Sequence, residues 1–206
     1  TGGAALDGGV LVGEDLSFMQ VDWCYFASNV AEGDGGVAVF EDFSRAVITS
    51  STFEFNRAGI DGGAINVEGD ASVEVSLSIF TSNEAADNEG GGIKVEDDAR
   101  LGVTNTTFQG NFARDSGGHI QCQDDARAVF ERSKFIEGLV QSRGGGGVSL
   151  QNDCEANFTE CDFEANVVED RNVFGAGGAM LLADFTFASL VGCKFTRNRA
   201  VIGGAI

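Results

Sequence analysis

Apolar and polar residues alternate along this chain in short blocks, and the blocks recur about every 27 residues. Each repeat opens on a pair of glycines, and a phenylalanine stands eighteen positions after the first glycine in seven consecutive repeats. A fixed period of this length is typical of proteins built from stacked repeat units. We therefore expect the phenylalanines to occupy equivalent places. They are Phe26, Phe53, Phe80, Phe108, Phe135, Phe163 and Phe195.

Three segments of each repeat show the alternation expected of a β-strand with one buried face. Counted from the first glycine, the first two segments have apolar residues at +3 and +5 and at +11 and +13. The third contains the phenylalanine at +18 and a small apolar residue at +23. We predict an all-β fold, a right-handed parallel β-helix (solenoid) with about 27 residues and three short strands per turn, or rung. About 7.5 rungs form a single continuous body over residues 1–206.

Residues that tolerate a left-handed backbone occupy two further positions of the repeat. Position +7 is aspartate, asparagine or glycine, and position +21 is asparagine in every rung except one, where Gly138 replaces it. We expect positive φ at both positions. We also expect the asparagines to bond to one another from rung to rung as a ladder. They are Asn29, Asn56, Asn83, Asn111, Asn166 and Asn198.

The composition is compatible with this fold and narrows the expected partners. The chain contains 30 glycines, no proline, and a formal net charge of −19. A strongly acidic surface repels phosphate backbones, so nucleic acid is not an expected partner. No apolar run approaches the roughly 20 residues that a membrane-spanning helix needs. The chain starts and stops inside the repeat pattern, so we interpret it as a segment of a longer protein.

Gly-Gly-Ala-Ile followed by Phe-x-x-Asn resembles the repeat of the chlamydial polymorphic outer membrane proteins. Gly-Gly-Ala-Ile occurs unchanged at residues 62–65 and 203–206, and Phe-x-x-Asn occurs in six of the seven rungs. The resemblance implies a β-helical passenger that is displayed at the cell surface and serves adhesion. It supplies no catalytic residues.

We therefore expect a structural or adhesive, non-enzymatic segment of an extracellular or cell-surface protein. Its expected partners are other subunits, copies of itself or surface glycans. The alternative is a carbohydrate-active β-helix, which acts as a polysaccharide lyase or hydrolase or binds glycans. Such an enzyme needs two or three converging carboxylates, often with a histidine. The strand positions at +4, beside the single histidine, His119, are expected to be exposed, and they hold only uncharged groups and Lys94. No carboxylate pair stands there, and we interpret His119 as a surface substitution.

Aspartates in consecutive rungs make the turn after the first strand a candidate calcium site. In a parallel stack they lie ~4.8 Å apart and repel one another unless a cation compensates. Ca²⁺ suits such a row, because it takes six to eight oxygen ligands. The alternative is solvated aspartates, partly offset by Arg100 and Arg127, with no cofactor. The candidate ligands are Asp97, Asp98, Asp124 and Asp125.

The chain has five cysteines, three of which share position +16, where other rungs have serine or threonine. Cys161 and Cys193 occupy this column in adjacent rungs, near the separation that a disulfide needs. We predict a disulfide between them; the alternative is a column of buried thiols. Cys122 and Cys154 are also one rung apart, but they belong to different columns, which makes their pairing the less expected one.

Two sequons, at Asn105 and Asn157, predict glycosylation if the source is eukaryotic and secretory. The longest connection between a phenylalanine and the next glycine pair follows Phe163. Long connections of a solenoid often form its binding face, so we predict an interaction loop there. Val173 and Phe174 are its expected apolar contacts.

Overall fold

The computed structural model of the chain describes residues 6–169 and 175–206, and within these ranges the protein consists of β-strands and turns. The first nine strands are β1 (Leu11–Gly13), β2 (Phe18–Asp22), β3 (Tyr25–Ala27), β4 (Val30–Ala31), β5 (Ala38–Phe40), β6 (Arg45–Thr49), β7 (Thr52–Glu54), β8 (Arg57–Ala58) and β9 (Ile65–Val67). The next nine are β10 (Ser72–Ser76), β11 (Ile79–Thr81), β12 (Glu84–Ala85), β13 (Ile93–Val95), β14 (Arg100–Thr104), β15 (Thr107–Gln109), β16 (Phe112–Ala113), β17 (Ile120–Cys122) and β18 (Arg127–Glu131). The last nine are β19 (Lys134–Ile136), β20 (Leu139–Val140), β21 (Val148–Leu150), β22 (Glu155–Thr159), β23 (Asp162–Glu164), β24 (Val167–Val168), β25 (Met180–Leu182), β26 (Phe187–Val191) and β27 (Lys194–Thr196).

The strands form four parallel sheets: sheets 1 to 3 take one strand from each of seven rungs, and sheet 4 takes one from each of the first six. Sheet 1 has the order β1-β5-β9-β13-β17-β21-β25, and sheet 2 has the order β2-β6-β10-β14-β18-β22-β26. Sheet 3 runs from β3 to β27 through β7, β11, β15, β19 and β23, and sheet 4 runs from β4 to β24 through β8, β12, β16 and β20. Equivalent residues pair between rungs, as Phe80 does with Phe53 and Phe108. The predicted all-β parallel solenoid is confirmed.

Two details of the coil differ from the prediction. The third segment of the repeat bends just before the asparagine, so in six rungs it contributes a three-residue strand to sheet 3 and a two-residue strand to sheet 4. Six of the seven rungs therefore have four strands, and the last has three. Six steps separate the seven strands of a sheet, which gives about six turns rather than about 7.5.

One hydrophobic core runs along the coil, and the phenylalanines form its centre. Their rings stack without interruption from Phe26 to Phe195. The centroids of Phe53 and Phe80, for example, are 4.5 Å apart. Burying one phenylalanine contributes about 1.5–3 kcal/mol, and stacking adds about 0.5–1.5 kcal/mol. Because each ring is covered by the rings of adjacent rungs, a single rung could not bury its apolar face alone.

The asparagines line a second internal column, but they do not make the bend. The left-handed residue is the one before each asparagine, as in Phe55 and Ser82, both with φ of 54°. The amide of Asn83 turns inward, where Nδ2 donates to the carbonyl oxygen of Phe53 (3.0 Å) and to Oδ1 of Asn111 (2.9 Å). Our prediction of positive φ at the asparagines is wrong, because this column is occupied for its buried amide. At position +7 the predicted positive φ is present.

The two glycines of each pair are required for different steric reasons, as Gly62 and Gly63 show. Gly62 has φ of +59°, a left-handed conformation that other residues adopt only with strain. Gly63 lies against the next rung, and a Cβ there would collide with the carbonyl oxygen of Gly91. The pair therefore sets both the bend and the close approach of successive rungs.

The disulfide joins Cys122 to Cys154, whose Cα atoms are 6.0 Å apart, so our predicted pairing is wrong. Cys122 precedes the tight turn between sheet 1 and sheet 2 in its rung, whereas Cys154 follows the same turn in the next rung, and both are buried. The corner thus brings together two different columns of adjacent rungs.

The thiols of Cys161 and Cys193 are free and each lies near a main-chain carbonyl. The sulfur of Cys161 is 3.5 Å from the oxygen of Thr159. Ser51 of the same column bonds the carbonyl of Thr49 in the equivalent way. Burial raises the pKa of the Cys161 thiol to about 11. This column therefore satisfies backbone groups. The alternative, a column of buried thiols, holds for Cys161, whereas Cys193 is only half-buried.

Candidate functional site

The outer face of sheet 1 is covered rather than exposed, which distinguishes it from an ordinary solvent face. Its central residues, at position +4, include Asn66 and Lys94, which are 0% and 4% exposed. We had taken this column as exposed, and that was wrong. Side chains at position −1, just before the glycines, and at position +6, just after the strand, close over it from both sides.

We call this trough the outer groove. Its floor is Val12, Val39, Asn66, Lys94, Gln121, Ser149 and Leu181. Its first wall is Asp7, Asp34, Asp61, Glu89, Ser116, Gly144 and Ala176. Its second wall is Glu14, Glu41, Glu68, Glu96, Gln123, Gln151 and Ala183. Both walls are acidic in the first four rungs and uncharged in the rest.

The carboxylates of the first wall are held in place by the backbone of the next rung. The amide N–H of Asp61 donates to Oδ1 of Asp34 (2.9 Å), and the amide N–H of Glu89 donates to Oδ1 of Asp61 (2.8 Å). One oxygen of each carboxylate is thereby occupied. The wall is built into the fold and does not depend on freely rotating surface side chains.

Lys94 supplies the positive charge in the fourth rung. Its Nζ lies 2.8 Å from Asp61, 3.0 Å from Glu96 and 4.0 Å from Glu89. Burial alone would lower the pKa of Lys94, but the carboxylates of Asp61 and Glu96 outweigh burial and raise this pKa above its usual value. The ammonium group is therefore charged and enclosed between the two walls.

The first three rungs of the groove contain carboxylates without such a partner. A cavity of about 310 Å³ lies there over Val12 and Val39. Burial raises the pKa of Glu68 to about 7, and Glu41 beside it adds to the rise. Burial also raises the pKa of Asp34. In the part of the chain that the structure describes, no lysine or arginine forms an ion pair with Asp34, Glu41 or Glu68.

The later rungs replace these charges with amides and hydroxyls. Nε2 of Gln151 donates to the hydroxyl oxygens of Ser149 (3.0 Å) and Ser116 (3.1 Å). Nε2 of Gln123 donates to Glu96 at 3.0 Å, so the amide half begins where the acidic half ends. The outer groove therefore changes from acidic to neutral along one axis.

His119 is fully buried inside the coil, so our interpretation of it as a surface substitution is wrong. Its Nδ1 accepts from Nδ2 of Asn111 at 2.9 Å. Gly138 provides the space, because a Cβ at that position would collide with the imidazole. Burial lowers the pKa of His119 to about 3. The ring is a neutral, internal replacement for the missing asparagine.

The predicted calcium ligands lie on the turns between sheet 1 and sheet 2. Asp97 accepts the amide N–H of Gly69 at 3.1 Å, and Asp124 accepts from Nδ2 of Asn152 at 3.3 Å. Asp98 and Asp125 are exposed. In residues 6–169 and 175–206, no three carboxylate, imidazole or thiol groups are arranged to hold a metal ion. Calcium binding at this turn stays a prediction.

The remaining predicted sites are at the surface or outside the described ranges. The side chains of Asn105 and Asn157 are exposed, with Asn157 on β22. Glycosylation of either residue stays a prediction. Val173 and Phe174, the expected contacts of the interaction loop, lie outside the described residues.

A second depression, of about 480 Å³, lies on the outer face of sheet 2. Gly102 leaves a gap there, and the carboxylate of Glu74 lies over the gap. Arg100, Arg127 and Glu131 border it. Arginine and carboxylate side chains form strong charge-assisted hydrogen bonds, so this surface suits a polar or acidic ligand.

A family model described as "Right handed beta helix region" matches residues 28–206. A search of curated proteins and a search of solved structures found no match. The finer resemblance to the chlamydial repeat is not confirmed by these comparisons. In the described ranges, no helix is long and apolar enough to cross a bilayer.

Proposed function

The chain belongs to the right-handed β-helix family, and we propose that it serves as a rigid scaffold segment of an extracellular or cell-surface protein. The single observation that carries this proposal is the uninterrupted core, in which the inner rungs bury their apolar residues against both neighbours and the end rungs bury theirs in part. Such a stack is continuous along its axis and offers long outer faces for contacts. Protein subunits, copies of the chain and glycans are the proposed partners.

The disulfide between Cys122 and Cys154 supports the proposed location. Disulfides form and persist mainly in oxidising compartments, such as the extracellular space. The net charge of −19 also suits a surface that stays soluble in a salty medium. Both observations favour a secreted or surface-displayed protein.

Binding is the proposed activity, rather than catalysis. The single histidine is buried and neutral, so it is not placed to exchange protons with a bound substrate. The outer groove has fixed walls and a graded charge, and these are features of a contact surface. Neither a cofactor nor a metal is part of this proposal.

The depression over Gly102 favours a second candidate function, glycan recognition. Its paired arginines, Arg100 and Arg127, face outward from adjacent strands of sheet 2. Guanidinium groups form bidentate hydrogen bonds with carboxylates, so an acidic sugar is the expected ligand class. A carbohydrate-active enzyme remains the alternative to a non-catalytic glycan contact.

The test is an array of neutral and acidic oligosaccharides probed with the labelled chain, together with an assay for new reducing ends. We expect saturable binding of acidic oligosaccharides without cleavage. The Arg100→Ala/Arg127→Ala double variant should weaken binding at least tenfold, while Lys134→Ala on sheet 3 leaves it unchanged. New reducing ends would replace the scaffold role with an enzymatic one. Absence of binding to the array, together with no self-association in sedimentation, would refute the contact role.

A further inference from the structure

Lys94 shows what the outer groove accommodates when one of its rungs is filled. Its ammonium contacts the first wall of the preceding rung through Asp61 and the second wall of its own rung through Glu96. The whole residue is 4% exposed, so its aliphatic stem is buried together with the ammonium. The fold therefore contains a complete site for an alkylammonium group, and here the chain itself supplies the occupant.

The preceding rungs repeat the walls of this site but lack the occupant. In the pairing of sheet 1, Asn66 is the residue equivalent to Lys94, and Val39 lies one rung further. The corresponding wall carboxylates are Asp34 and Glu68. Val39 is shorter than lysine, and the cavity over it reaches both Asp34 and Glu68.

Asn66 gives an independent indication that a donor belongs in this space. The residue is 0% exposed, and its Nδ2 donates to Glu68 at 3.2 Å. Its Oδ1 is buried in the outer groove and has no donor among the residues that the structure describes. Buried acceptors in proteins are nearly always paired, so an unpaired amide oxygen beside a row of carboxylates needs an explanation.

An alkylammonium group satisfies all of these groups at once. It presents three N–H donors and no acceptor, which matches an amide oxygen and two carboxylates. Its methylene chain can lie on the apolar floor of Val12 and Val39, as lysine stems do on apolar surfaces. A metal ion fits less well, because the described residues contain no set of three metal-binding groups.

We propose that the acidic half of the outer groove binds a primary alkylammonium group, in the position that Lys94 fills one rung further along. The proposal rests on the contact role inferred above, because it names the ligand chemistry of one long face. Two sources supply this chemistry: a lysine side chain of a protein partner and a free polyamine. Both place one ammonium between Asp34 and Glu68, next to Oδ1 of Asn66.

The experiment measures binding to the intact chain by calorimetry at low salt and pH 8, where the Glu68 carboxyl is ionised. The probes are cadaverine for a free polyamine, Nα-acetyl-lysine methylamide (with its side-chain ammonium free) for a lysine side chain, and 1,5-pentanediol as the uncharged control. We expect both amines to bind and the diol not to bind. A tenfold preference for one amine identifies the source. Equal binding of the diol, or binding of Ca²⁺ in place of the amines, overturns the proposal.

Variants locate the binding to the groove. Glu68→Gln and Asp34→Asn should each weaken amine binding at least tenfold. The matched change Glu160→Gln, on an exposed turn that lines neither depression, should not alter it. Asn66→Lys should fill the site from within, abolish amine binding and raise Tm. A folded Asn66→Lys protein that still binds both amines with the same affinity overturns the proposal. If the unsubstituted chain binds neither amine but still binds oligosaccharides, this site alone is rejected and the scaffold role stands.

Discussion

The interior and the outer groove of this coil follow opposite rules. Most interior columns stay apolar through the rungs, and the phenylalanine column keeps one residue throughout. The groove floor instead changes from Val39 to Asn66 to Lys94 in consecutive rungs. In-register stacking places every side chain next to its own copy. Identical apolar shapes pack well in that arrangement, but identical charges directly opposite one another repel. Constant columns therefore define the fold, and variable columns are where rungs acquire different functions.

Each part of the groove solves the repulsion in its own way. The fourth rung neutralises its carboxylates with Lys94. The later rungs avoid charge by placing Gln123 and Gln151 at the same wall position. The first rungs have neither solution, and the pKa of Glu68 rises to about 7 as a result of burial and the neighbouring acids. Substitutions in the interior stack and in the outer groove test this difference.

The largest effect is expected from a break in the interior stack. Phe108→Ala should lower the free energy of unfolding by about 3–5 kcal/mol, because the ring is fully buried and leaves a cavity between two others. Urea denaturation measures this loss. The control Phe43→Ala removes a ring that is 62% exposed and should change stability by at most about 0.5 kcal/mol. Equal losses in the two variants would contradict the stack.

The next effect is expected from the filled rung of the groove. Lys94→Met should lower the free energy of unfolding by about 3 kcal/mol, the lower end of the range for a broken buried ion pair. The reason is that it leaves buried carboxylates without their cation. The loss should shrink at pH 4–5, where the orphaned carboxyl groups take up protons. Unfolding at both pH values measures it, with the exposed Lys134→Met as control. A loss that does not depend on pH would show that the charge is unimportant.

His119 should give the interior its own pH dependence. Its pKa is about 3 in the folded protein, against 6.5 for the free side chain. The unfolded chain therefore binds a proton first, and stability falls as pH drops below about 6.5. The expected slope is about 1.4 kcal/mol per pH unit down to about pH 3. The free energy of unfolding is measured against pH for the parent and for His119→Ala, and the difference between the two curves isolates this slope. Parallel curves would disprove the burial of a neutral imidazole.

The smallest effect is expected at Glu68 and has the opposite sign. Its folded pKa of about 7 exceeds the usual glutamate value of 4.5, so the folded protein binds this proton first. Its contribution to stability is lost as pH rises from about 4.5 to 7. Glu68→Gln should be more stable than the parent at pH 8 by less than about 1 kcal/mol, since the carboxyl is only partly buried and is screened. The two proteins should be equally stable near pH 4; a variant that is less stable at pH 8 would contradict this.

The sequence was sufficient for everything that follows from stacking along the axis. Equal offsets from the glycines predict the parallel sheets, the ring stack and the asparagine ladder, because a residue one repeat away is the neighbour one rung away. Gly138 and His119 show the limit of this logic. The repeat marks both as exceptions, but only the structure shows that one fills the space left by the other.

Contacts across a rung were not predictable in the same way. The disulfide from Cys122 to Cys154 crosses a corner between two columns, and the walls of the outer groove fold over a neighbouring strand. Both depend on the path of the chain around the rung, which the repeat period does not encode. A signal for the groove was present all the same, in the acidic residues that flank the first strand at positions −1 and +6.

The most direct test of the account is a distance ladder along sheet 2, measured by pulsed electron paramagnetic resonance between pairs of spin labels. One label replaces Gln20, and the second replaces Val129, Asn157 or Ser189, which lie four, five and six strands away in register. The stacked coil predicts that the label distance grows by ~4.8 Å with each additional rung. Distances that fail to grow in equal steps would contradict the claim that equal offsets in the sequence are equal places on successive turns.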